Sequence, residues 1–154
     1  MPVTAGQSDN ARILVVGAPG SGKTSLIRRL LDLGAPVTKT QALEFYDFAV
    51  DTPGEYVQIP RLFFAVLSQV GDARGVWVVQ DATAARPTVP PGFAYAFRDR
   101  AVGIITKIDS PQADLPRAER FLAGAGVPGP YLRVSVVTGE GVDRVACLAD
   151  RRKT

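Results

Sequence analysis

Histidine is absent from this 154-residue chain, and cysteine, methionine and tryptophan occur once each. Without histidine there is no Ser-His or Cys-His nucleophile pair, no imidazole-bound zinc and no ready general base near neutral pH. The lone Cys147 excludes an internal disulfide and a cysteine-rich zinc site. Chemistry is left to carboxylates, lysine, hydroxyls, backbone amides or a metal held by oxygen. Long apolar runs are missing too: the run Leu62–Gly71 is far short of the ~20 residues that span a bilayer. Met1–Asn10 has neither a basic start nor an apolar stretch, so no secretory leader is expected and a cytoplasmic protein is. The net charge of +3 does not indicate a nucleic-acid partner. Arg151, Arg152 and Lys153 supply it, and residues 1–150 carry equal numbers of both signs. The length fits one domain, 1–154, with a polar extension over 1–10 and a basic tail over 151–154.

What is present alternates between short apolar runs and helical patterns. Arg12–Gly17, Gly75–Asp81 and Val102–Lys107 are continuous apolar runs bounded by glycine or charge, the pattern of strands buried on both faces. Ala42–Phe45 and Phe48–Asp51 are very short strand candidates, and Tyr131–Val136 alternates as a strand does. Leu26, Ile27, Leu30 and Leu31 recur at helical spacing before Gly34 and Pro36. Further helices are predicted over about 61–70 and 115–125, and from Val142 through Ala149. Pro87, Pro90 and Pro91 leave at most a turn or two of helix near Phe93–Phe97. Strands alternating with helices predict a three-layer α/β/α fold around a mostly parallel sheet, with ligands bound beyond the strands' carboxyl ends.

The unusual residues fall at those ends. Gly17-Ala18-Pro19-Gly20-Ser21-Gly22-Lys23-Thr24 fits G-x-x-x-x-G-K-[ST], between a strand and a helix. Glycines let successive amides turn inward onto phosphate, and the helix start adds partial positive charge. Lys23 would reach the β- and γ-phosphates, and the Thr24 hydroxyl would bind Mg²⁺, with Ser25 completing the turn. Asp51-Thr-Pro-Gly54-Glu55 follows the third strand. A carboxylate there can hold Mg²⁺ through water, and the Gly54 amide can reach the γ-phosphate. Thr106-Lys107-Ile108-Asp109 ends a later strand. A carboxylate matches guanine's ring N–H and 2-amino group, whereas adenine presents an acceptor and no amino group there. The Lys107 stem would lie along the base.

Together these segments resemble the Ras-like, translation-factor class of small GTP-binding proteins. Adding Thr38-Lys39-Thr40-Gln41-Ala42 and Asp51–Tyr56, the chain resembles the bacterial EutP/PduV family from about Ile13 to Leu148. The family is associated with ethanolamine and propanediol utilisation and protein-shelled microcompartments. The resemblance implies a Ras-like G domain with a shortened switch I and a reduced helix between the strands ending at Asp81 and Lys107. It implies GTP or GDP and Mg²⁺ as ligands, with microcompartment shell or associated enzymes as partners. It makes Thr40 the switch threonine over Mg²⁺, with Thr38 as the fallback. Ser135-Val136 becomes the last base-contacting pair, the Val136 amide meeting the guanine carbonyl where alanine is usual. Thr106 stands where Ras-like proteins carry asparagine, and can still hydrogen-bond toward the phosphate loop.

Glu55 stands where Ras-like proteins place the glutamine that orients the attacking water. An ionised glutamate only accepts hydrogen bonds and adds charge beside an anion. Pro19 adds bulk where an arginine finger would act. Slow hydrolysis, resistant to such an activator, is expected, with Lys23, Thr40 and Glu55 as the catalytic candidates. Two rivals stand beside a GTP-hydrolysing switch. One is a P-loop kinase acting on a small carboxylate, which lacks the arginine-rich lid expected of it. The other is a scaffold that has lost nucleotide binding, against which Lys23, Thr24 and Asp51 argue. Phe64, Phe93, Tyr95 and Phe97 are candidate partner contacts or core caps.

Overall fold

The computed structural model describes residues 13–32, 37–39, 44–46, 49–51 and 75–149, the side chains of 37–51 and 96–98 excepted. Among the described residues, seven strands form one sheet in the order β2-β3-β4-β1-β5-β6-β7. They are β1 (Ile13–Val16), β2 (Val37–Lys39), β3 (Glu44–Tyr46), β4 (Ala49–Asp51), β5 (Gly75–Asp81), β6 (Ala101–Thr106) and β7 (Leu132–Arg133). The pairings from β4 through β1, β5 and β6 to β7 are parallel, and β2-β3 and β3-β4 are antiparallel. Helices α1 (Lys23–Leu31), α2 (Leu115–Gly124) and α3 (Val142–Ala149) and one 3-10 helix (Phe93–Arg100) complete the described elements.

The long central strands bury both faces, and alternate side chains feed two separate cores. Ile13, Val15, Trp77, Val79 and Ile104 meet Leu26, Ile27 and Leu30 of α1 and Val142 and Val145 of α3. Leu14, Val16, Val76, Val78 and Ile105 meet Ala94 of the 3-10 helix and Ala118 and Leu122 of α2. This is the three-layer α/β/α arrangement. Shortening a fully buried Leu14 or Leu122 to alanine would cost about 2–5 kcal/mol.

Local chemistry sets the ends of α2. The Asp114 carboxylate accepts from the Arg117 amide at 3.1 Å, and a proline sits in the first turn. The proline-rich segment cannot make a long α-helix and docks instead on the end of α2. Gly92 N–H donates to Gly124 O at 3.0 Å and Ala94 N–H to Ala125 O at 2.8 Å. The 3-10 helix, Phe93–Arg100, runs longer than the turn or two expected, and its start is anchored by this docking.

Two other expectations need correction. The strand expected over Tyr131–Val136 is confined to Leu132–Arg133. Past Val134, whose amide still donates to Ile105 O at 2.8 Å, the chain closes into a tight loop through Ser135 N–H to Glu140 O at 2.9 Å. The strand expected over Ala42–Phe45 is Glu44–Tyr46, and an additional strand, Val37–Lys39, pairs with it. A three-residue edge strand carries too little alternation to show in sequence. The helix expected over 61–70, with Phe64, lies outside the described residues, as do Thr40, Gly54 and Glu55.

Candidate nucleotide site

The sheet's topology reverses at β1, whose neighbours are β4 on one side and β5 on the other. In open α/β sheets a crevice forms at the carboxyl end of such a reversal. The Gly17–Gly22 segment fills that position. Gly17 has no room for a side chain: a Cβ would lie 2.6 Å from Ser21 Oγ and 2.8 Å from Val79 O. Gly20 and Gly22 have φ of 79° and 95°, in the left-handed region where glycine carries no steric penalty. The turn is closed by Ser21 N–H donating to Ala18 O at 3.0 Å. Gly22 caps α1 without a side-chain acceptor, and no acidic residue stands in the first turn. No acidic side chain there offsets the partial positive charge that the start of α1 presents to an anion. Lys23 is buried, Thr24 is half-buried, and Pro19 and Ser25 are exposed.

Side chains from β5 and β6 brace this loop from behind. Thr106, 2 % exposed, donates from Oγ1 to Ser21 O at 2.6 Å. Lys107, at φ 62°, donates from Nζ to Gly20 O at 2.9 Å and to Asp81 Oδ2 at 2.8 Å. Burial pushes the Asp81 carboxyl up. The Lys107 ammonium and the Thr83 hydroxyl and amide outweigh it, holding the group below its ordinary value. Gln80, buried in the middle of this apolar region, accepts from Thr88 N–H at 2.8 Å. Thr88 Oγ1 in turn accepts from Ala18 N–H at 2.7 Å.

The base end is built from β6 and the loop after β7. Buried Ser135 donates from Oγ to Asp109 Oδ1 at 2.8 Å and accepts from Thr138 N–H at 3.1 Å. Gly139 N–H closes the loop onto Ser135 O at 2.8 Å. One cleft of about 270 Å³ joins the two ends, lined by Gly22, Ser25, Thr106, Lys107, Asp109, Ser110, Val136 and Val137. That volume lies just below the roughly 300–1,000 Å³ of typical small-ligand pockets. Residues from three separate sequence segments converge on it.

The described residues fit a nucleotide: a cradle that excludes a side chain, a helix start, a buried lysine and an orienting carboxylate. For a metal, β4 ends at Asp51 and pairs beside β1, with Val15 opposite Asp51. That puts its backbone beside the end of β1, which runs into the Gly17–Gly22 loop ahead of α1. Thr38 lies in β2, three strand spacings from β1, roughly 14 Å at ~4.8 Å each. Because β2 and β1 run in the same direction, the chain leaving Lys39 does so at the loop's end of the sheet. Among the described residues no group of three or more His, Cys, Asp or Glu gathers as a metal cluster, and no helix is long and apolar enough to cross a membrane.

Asp81, Gln80 and Thr88 belong to the site's support and were not singled out in sequence. Gln80 had one visible signal, a polar residue inside the apolar run 75–81. Nothing local marks Thr88.

The family model described as ethanolamine utilisation – propanediol utilisation, PduV-EutP, matches residues 10–149. A Salmonella typhimurium (strain LT2) protein named "Probable acetate kinase EutP" is 34% identical over 148 residues, covering 92% of this chain and 93% of that one. An Escherichia coli (strain K12) protein of the same name is 32% identical over 126 residues, covering 80% and 79%. The propanediol utilization protein PduV of Citrobacter freundii is 32% identical over 145 residues, covering 93% and 95%. Among solved structures, the G domain of the T. maritima FeoB iron transporter superposes with a TM-score of 0.55 at 20% identity, covering 94% of this chain and 99% of that one. That likeness concerns the fold: a P-loop G-domain architecture.

Proposed function

The chain belongs to the PduV-EutP family of ethanolamine and propanediol utilisation, and from that premise we propose that it is a GTP-binding protein. In this reading it hydrolyses GTP slowly with Mg²⁺ and acts as a regulatory or assembly switch. It works as one domain in the cytoplasm, on microcompartment shell or associated enzymes. The observation that carries the reading is the cleft joining Gly22 and Ser25 to Asp109 and Val136. Gly17, Ala18, Pro19, Gly20, Ser21 and Gly22 would form the phosphate cradle. The amides of α1 and Lys23 would bind the phosphates, and Asp109, oriented by Ser135, would accept from the two guanine donors. The Val136 amide would meet the guanine carbonyl, and Thr106 and Lys107 would hold the loop in place.

Mg²⁺, when bound, would neutralise charge between the phosphates. Thr24 would hold it directly, Asp51 would hold it through water, and Thr40 is favoured over Thr38 by the direction of β2. Glu55 and Pro19 would keep hydrolysis slow. Titration with fluorescent GTP, GDP and ATP analogues tests the reading, with Asp109→Asn as control. Guanine preference lost in the variant supports it, and ATP preference or no binding overturns it. A single-turnover rate matching an activator-stimulated Ras-like protein would overturn the slow-hydrolysis part.

The names of two relatives, each a probable acetate kinase, favour a second reading, phosphoryl transfer from the nucleotide to acetate. The acetate oxygen would attack the γ-phosphorus and the nucleoside diphosphate would leave, giving acetyl phosphate. The same phosphate and base residues would serve it. Trapping acetyl phosphate as its hydroxamate, with GTP or ATP as donor, decides between the readings.

A further inference from the structure

The segment between β5 and the 3-10 helix carries a buried polar link to the phosphate loop that no motif contains. Gln80, 1 % exposed, donates from Nε2 to Asp81 O at 3.1 Å and Arg86 O at 3.3 Å. Its Oε1 accepts from Thr88 N–H. Both ends of a buried amide are thus satisfied, which fixes the path of the segment. Thr88, 4 % exposed and followed by the core residue Val89, then presents Oγ1 to the Ala18 amide 70 positions away.

The effect is to remove one donor from the cradle and aim another. Ala18 N–H is engaged by Thr88, Pro19 has no N–H, and Ser21 N–H is engaged by Ala18 O. In the turn 18–21 this leaves the Gly20 amide for a ligand, and its direction depends on how Ala18 is anchored. The base-side cleft is lined by Gly22 and Ser25, not by residues 18–20. A polyphosphate running from that cleft across the start of α1 therefore meets Gly20 with its terminal group. Phosphates nearer the base meet the α1 amides, which do not depend on Thr88.

We propose that Thr88 is a positioning residue that sets the preference for nucleoside triphosphate over diphosphate, by holding Ala18 so that the Gly20 amide faces the terminal phosphate. This rests on the nucleotide-binding reading above, but not on the base being guanine. The test compares wild type, Thr88→Val (same shape, no hydroxyl) and Thr88→Ser (hydroxyl kept). Triphosphate and diphosphate affinities are measured with whichever base the wild type prefers, and Ala18 amide hydrogen exchange without nucleotide. The expected result is a triphosphate-to-diphosphate affinity ratio about tenfold lower in Thr88→Val. Diphosphate affinity changes less than about twofold, Ala18 exchange is faster, and Thr88→Ser keeps the wild-type ratio. Equal weakening of both nucleotides, or an unchanged ratio with unchanged Ala18 exchange, would overturn the proposal. Wild type preferring ATP would sink the GTP reading alone and leave this one standing. Wild type binding neither base would overturn both.

Discussion

At the phosphate end the groups offered to a ligand are main-chain amides held by missing side chains: no Cβ fits at Gly17, and Gly20 and Gly22 take left-handed backbone. At the base end they are side chains held by other side chains, with Ser135 fixing Asp109. The first kind of surface recognises charge common to every nucleotide and fails when any atom is added. On the proposed reading, the second kind would recognise one edge of one base and could be recoded atom by atom.

The largest effect is expected from adding a single methyl. Gly17→Ala changes no charge and removes no donor, yet its Cβ meets Val79 O, a backbone atom, at 2.8 Å. Stability should fall by roughly 1–3 kcal/mol, and affinity for GTP and GDP alike by about 100-fold or more. Calorimetry retaining affinity within threefold would break the claim that the phosphate end is limited by backbone approach. Next comes Asp109→Asn, which exchanges an acceptor for a donor. GTP affinity should drop about 10- to 100-fold, while the xanthosine nucleotide, with a carbonyl in place of the 2-amino group, gains. An equal loss for both bases would show that the base end is not read by side chains.

Ser135→Ala removes the donor to Asp109 and the acceptor for Thr138 N–H. A loss of about three- to tenfold in GTP affinity is expected, with ATP affinity unmoved, measured by the same titration. The smallest effect is in the support. The Asp81 pKa is lowered below its ordinary 3.8, so its contribution to stability is present above that value and disappears as pH falls through the folded pKa. Asp81→Asn should therefore be slightly less stable than wild type at neutral pH, with the gap in melting temperature closing below about pH 4. A gap that widens in acid would reverse the sign argued for the Lys107 pair.

Much of this was legible because buried parallel strands write themselves as unbroken apolar runs. β1, β5 and β6 lie within a residue or two of the stretches 12–17, 75–81 and 102–107. The Gly17–Gly22 turn was legible because its glycine spacing is a steric requirement, and the guanine role proposed for Asp109 came from the chemistry of its carboxylate. Other features left no local trace. β2 is a three-residue edge strand held by its partner. The end of β7 is set by a hydrogen bond from Ser135 to Glu140 across the loop. The Gln80–Thr88–Ala18 link joins residues that only the fold makes neighbours, and periodicity carries no information about such a contact.

The sheet's outermost described strands, β2 and β7, are three and two residues long. Each offers a neighbouring chain only one or two open rungs, too few to seed a ladder against a twisted sheet. Pairing edge to edge through these described strands would form only a short ladder. Crowding on a surface therefore does not convert the described sheet into a fibre template. An array held through these described edges alone would rest on only a few backbone rungs.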